Sequence, residues 1–68
     1  MTKKERQAIA DALYITRRAI DQRTENALVR IAADTALDLV LEEILTALDL
    51  HGDTRRAFIA VCITGTER

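Results

Sequence analysis

The chain reads as an all-α protein: a helical hairpin, made of helix one and a long central helix, closed by a short C-terminal helix. Three observations predict this. No proline or glycine interrupts Thr2 to His51. That run is rich in Ala, Leu, Ile, Arg and Glu, residues that lose little freedom in a helix. Its apolar residues recur at helical spacing, and the stripe they form changes face halfway along.

The first helix is expected to start at Thr2 as N-cap and to run to Ile20 or Asp21. At 100° per residue, Ala8, Ile9, Ala12, Leu13, Ile15, Thr16, Ala19 and Ile20 share one side, with Tyr14, Arg17 and Arg18 on the other. A connection near Asp21-Gln22-Arg23 leads to Thr24, read as the second N-cap. Nothing breaks a helix between Thr24 and Leu50. Yet Leu28, Ile31, Ala32, Thr35 and Leu39 lie opposite Leu37, Val40, Leu41, Ile44, Leu45 and Leu48. Either the chain bends at Thr35-x-x-Asp38, which loosely resembles a capping box, or one helix buries opposite faces against different neighbours. The long helix is favoured, because Gly and Pro are absent. His51-Gly52-Asp53 is the strongest turn signal. Gly52 suits a left-handed helix end, and Asp53 or Thr54 would cap the last helix. Ala57 to Ile63 is continuously apolar, but no partner strands are on offer, so it is read as helix to about Gly65, with a frayed Thr64–Arg68.

Sixty-eight residues form one domain, 1–68, with a core that rarely supplies more than about 3–5 kcal/mol. A lone Cys62 excludes an internal disulfide, and His51 with one cysteine makes a poor metal site. Association remains as the reinforcement, so a homodimer is expected, with the second stripe as its seam.

Formal net charge is −1, which gives no global pull toward nucleic acid or an anionic membrane. No stretch approaches a membrane span, and the charged start runs into an amphipathic segment, not a signal core. A cytoplasmic protein is expected. Charge is unevenly placed, however. Met1 to Arg30 has seven bases and four acids, whereas Ile31 to Asp53 has six acids and no Lys or Arg.

Catalytic readings fail on inventory. Serine is absent, Cys62 lies in an apolar run, no glycine-rich loop exists, and Glu42 and Glu43 diverge by about 100° on a helix. No cofactor is expected. Binding to another protein needs the fewest assumptions, because Tyr and Arg dominate interface energetics. One candidate surface is Tyr14, Arg17 and Arg18. The other is the outer face of the long helix, where Leu39 and Leu50 sit among Asp38, Glu42, Glu43 and Asp49. The alternative is that Leu39 and Leu50 complete a dimer seam and Tyr14 lies flat on its own helix. Nucleic acid is a weaker candidate partner, contacted by Arg17, Arg18 and Arg23 with Tyr14 as a stacking ring.

Three segments carry a resemblance: Met1-Thr2-Lys3, Ile9-Ala10-Asp11-Ala12-Leu13, and Asp53 through Cys62 with its Arg-x-Phe-x-x-x-Cys spacing at Arg56, Phe58 and Cys62. Together they resemble small helical accessory proteins of phages and prophages, over about a quarter of the chain. The acidic middle segment departs from that pattern. The resemblance implies a gene product that binds and redirects a host protein, such as a defence complex or a regulator. It carries over no catalytic residues.

Overall fold

The computed structural model describes residues 1–66 and consists there of three helices and no strand. Helix α1 spans Lys3–Arg23, α2 spans Ala27–Ala47 and α3 spans Gly52–Thr64. Thr2 caps α1 as expected. Its hydroxyl accepts from the Glu5 backbone N–H at 3.1 Å, and the Glu5 carboxylate accepts from the Thr2 N–H at 2.9 Å. This reciprocal pair satisfies two of the donors that a helix start leaves open. Hydrogen bonding from the Thr2 backbone N–H, and after it from the Thr2 side chain, holds the Glu5 carboxyl below its ordinary range.

The first connection lies three residues later than the sequence suggested. Thr24 closes α1, its N–H donating to the Ile20 carbonyl, and Asn26 caps α2. The Asn26 side chain accepts from the N–H groups of Leu28 and Val29, at 3.0 and 3.1 Å. A short polar side chain that reaches two donors outcompetes Thr24 for that role.

The central segment is one unbroken helix. Thr35 caps nothing; its hydroxyl donates back to the Ile31 carbonyl at 2.9 Å. Helix α2 ends in a Schellman motif built on Asp49. The Asp49 N–H donates to Thr46 at 3.1 Å and the Leu50 N–H to Leu45 at 3.2 Å, with Asp49 left-handed at φ 54°. Gly52 is also left-handed, at φ 57°. It opens α3 instead of ending α2, so neither Asp53 nor Thr54 is the cap. That position falls to His51, whose side chain makes no capping bond.

Helix α3 runs alongside the first half of α1, from a cleft shared by Arg6, Ala10, Asp53 and Phe58 to a contact between Tyr14 and Gly65. The buried core is Ala10, Leu41, Leu45, Leu50, Phe58, Val61 and Cys62, with Ile9, Leu13, Ile44, Leu48 and Ile59 packed against it. Three sequence expectations change here. The buried residue of α1 is Ala10, which lies outside the apolar stripe; of that stripe Ile9 and Leu13 pack against the core, whereas Ala8, Ala12, Ile15 and Thr16 are exposed. Leu50 is buried, because it is the residue after the left-handed turn and folds back toward Leu45. Leu41 and Leu45, assigned above to a dimer seam, are buried in the chain's own core. The start of the tail, Thr64 to Thr66, is held by the Thr64 hydroxyl, which donates to Ala60 at 2.7 Å and accepts from the Thr66 N–H at 3.3 Å. The rest of the tail lies outside the described residues.

The core position that tolerates least is Leu45, 1% exposed. Leu45→Ala is expected to cost about 2–5 kcal/mol, comparable to everything a core of this size supplies. Leu41→Asp, which would enclose an unpaired charge, should leave no cooperative thermal transition by circular dichroism.

Candidate interaction surfaces

The residues singled out from the sequence do not form two separate surfaces. Arg17 lies on α1 and Asp38 on α2, and their side chains meet at 2.5 Å. This ion pair ties the hairpin together: Arg17 is only about a quarter exposed and Asp38 about two-thirds. Tyr14 is half-buried, not displayed. Its ring covers Gly65, the left-handed residue that ends α3 at φ 81°. A Cβ at Gly65 would lie 2.9 Å from the ring. Arg18 extends over the same ring, 5.8 Å from its centroid, and donates to the Tyr14 hydroxyl at 2.9 Å. That hydroxyl raises the Arg18 pKa further above an already high value. Tyr14 therefore serves the junction of α1 and α3, with Arg18 as its outer lid.

The acids divide in the same way. Glu42 approaches Arg55 of α3 at 3.9 Å, a loose pair across the core. Asp49 sits 2.7 Å from the His51 ring within the turn. Glu43 makes no ion pair among the described residues. Together with Leu39, Val40, Ile44 and Ala47 it lines a shallow, largely apolar groove on the outside of α2.

That groove belongs to a larger surface which sequence reasoning saw only through Leu39. Leu28 is 78% exposed and Leu39 64%, and Val29, Ile31 and Val40 are exposed beside them on α2, as are Ile15 on α1 and Ile63 on α3. Single exposed apolar side chains are ordinary, but a row along one helix is not. Leu28, Ile31 and Leu39 carried the signal as the first stripe of the long helix, whereas Val40, assigned to the second stripe, is exposed and Val29 belonged to neither. Sequence reading also missed the cleft between the starts of α1 and α3. Ala10 and Phe58 form its floor, and Arg6, Gln7, Asp53 and Thr54 its rim.

The reactive groups stand apart. His51 and Cys62 lie near opposite ends of α3, eleven residues or about 16 Å of helix rise apart. Burial pushes the Cys62 thiol above its usual range, although the nearby Arg17 guanidinium pulls the other way. Among the described residues no group of three or more His, Cys, Asp or Glu could hold a metal ion, and no helix is long and apolar enough to cross a membrane.

Two outcomes follow for the junctions. Gly65→Ala should lose about 1–3 kcal/mol, since the left-handed backbone alone disfavours a side chain; replacing Tyr14 by Ala as well should restore only the part due to the ring. A double-mutant cycle of Arg17→Ala with Asp38→Ala, read by chemical denaturation, should give a coupling of about 0.2–1 kcal/mol that shrinks with added salt.

Comparison with protein-family profiles, curated proteins and solved structures finds no match to this chain.

Proposed function

We propose that the chain is a non-enzymatic protein-binding module: a homodimer that inhibits or adapts a host protein complex, in the manner of the phage and prophage accessory proteins its sequence resembles. The observation that carries this reading is the outward row of Leu28, Val29, Ile31, Leu39 and Val40 on a helix whose other side already supplies the core. Helix formation does not require apolar residues there. Alanine, glutamate or lysine would serve a solvated helix equally well. Side chains of this size outside a core gain free energy only by meeting another surface.

Glu43, which makes no ion pair among the described residues, borders that row and favours a partner with a basic group beside an apolar face. The inventory supports a binder over a catalyst. The lone thiol is buried, the lone histidine lies far from it along α3, and Asp38, Glu42, Asp49 and Asp53 are engaged in ion pairs. For the nucleic-acid alternative, Arg17 and Arg18 would have to leave Asp38 and Tyr14 to reach phosphates.

A tagged pull-down from bacterial lysate, run with and without nuclease, tests the reading. The expected result is a protein partner that survives nuclease and is lost with Leu39→Asp, a variant that keeps its circular-dichroism spectrum. Capture that vanishes with nuclease and with Arg17→Ala/Arg18→Ala would transfer the function to nucleic acid.

A further inference from the structure

The cleft between the starts of α1 and α3 lies apart from the row on α2, which contributes no residue to it. Its volume is about 300 Å3, the low end of the range that small-molecule sites occupy. The hollow exists because small side chains line it from both helices, Ala10 from α1 and Ala57 from α3, beside the nearly buried Phe58. An apolar body of modest size fits such a floor, and a flat ring gains further from the aromatic neighbour.

The rim adds charge to that floor. Arg6 and Lys3 stand on it from α1. Arg6 is half-buried and makes no ion pair among the described residues; its one hydrogen bond there is a long one, 3.4 Å to the Met1 carbonyl. By contrast Arg17, Arg55 and Arg56 each meet a carboxylate, at 2.5, 3.9 and 2.5 Å. The acids closest in sequence to the cleft are committed elsewhere. Glu5 caps the start of α1 through Thr2, and Asp11 accepts from Gln7 at 3.2 Å. Asp53, on the α3 rim, has a side chain 96% exposed and pairs with Arg56. The guanidinium of Arg6 thus keeps donors in the fork geometry that a carboxylate fits. The Thr54 hydroxyl, on the same rim, also makes no hydrogen bond among the described residues. With Asp53 at the opening, a single negative charge suits the site better than the double charge of a phosphate.

We propose that this cleft binds a small monocarboxylate with an aromatic or branched apolar tail. The tail lies on Ala10, Ala57 and Phe58, and the carboxylate pairs with Arg6. The site goes beyond the protein-binding reading and does not depend on it.

Amide shifts of the intact, isotopically labelled protein, titrated with 3-phenylpropionate, 3-phenylpropan-1-ol and acetate, test the proposal. The expected result is saturable binding of the acid, with a Kd of about 1 mM, centred on Ala10, Ala57 and Phe58. The alcohol, which has the tail without the charge, and acetate, which has the charge without the tail, should each bind about tenfold more weakly or worse. Arg6→Gln should bring the acid down to the level of the alcohol, and Ala57→Leu, which fills the floor, should abolish binding of both; each variant is checked by circular dichroism. Equal binding of acid and alcohol to the wild type would make the cleft an apolar hollow with no anion recognition and would overturn the proposal, whatever the variants do. Absence of saturation by the acid at about 20 mM, shifts centred on another part of the chain, or full affinity in a folded Arg6→Gln variant would overturn it as well.

Discussion

The arrangement depends on a length mismatch. Helices α1 and α2 have 21 residues each and α3 has 13, so about 20 Å of helix is laid against a hairpin of about 31 Å. Helix α3 starts level with the start of α1 and ends at Tyr14, and the buried residues follow it. Ala10, Leu41 and Leu45 belong to the part of the hairpin it covers, Phe58, Val61 and Cys62 are its own, and no residue of α2 before Leu41 is buried. The extents, 37 × 20 × 17 Å, and a radius of gyration of 12.3 Å describe the same elongated body; a compact chain of this length would have a radius of about 11 Å.

This constraint explains why different devices hold the two ends. Where α3 is present, apolar burial dominates and the polar groups act as trim: the Glu42–Arg55 approach, the Schellman turn at Asp49, the tyrosine over Gly65. Toward the other end the apolar residues Ala19, Ile20, Ala33 and Leu37 are only half-buried, and the Arg17–Asp38 pair joins α1 to α2. Such exposed pairs contribute little by themselves. The open end is therefore where added contacts would change stability most, and it is also where the unpartnered leucines and valines stand.

Much of the architecture was legible from the residues. Absence of Pro and Gly, together with high propensity, favoured α2 as one helix, and Thr2 announced the start of α1. Two features were harder to read, for physical reasons. The buried residue of α1 is Ala10 and the end of α3 is covered by Tyr14, and neither a small residue nor a lone tyrosine outside the stripe stands out in a hydrophobic pattern. The left-handed role of Asp49 was hidden by Gly52, because glycine is the better predictor of that conformation while aspartate merely tolerates it. Among the candidate interface residues, Leu39 and Glu43 stand on the outer surface as expected. Arg17 and Asp38 pair across the hairpin, a contact between residues 21 apart that no local pattern encodes.

The placement of Cys62 bears on the environments in which the fold is durable. The sole sulfur is 3% exposed and faces inward between α1 and α3, in surroundings that keep it as the unreactive thiol. Oxidants and thiol reagents reach it only in molecules whose third helix has lifted away. The folded chain is consequently blind to redox poise, and its rate of labelling at that one sulfur is a clock for how often the core opens.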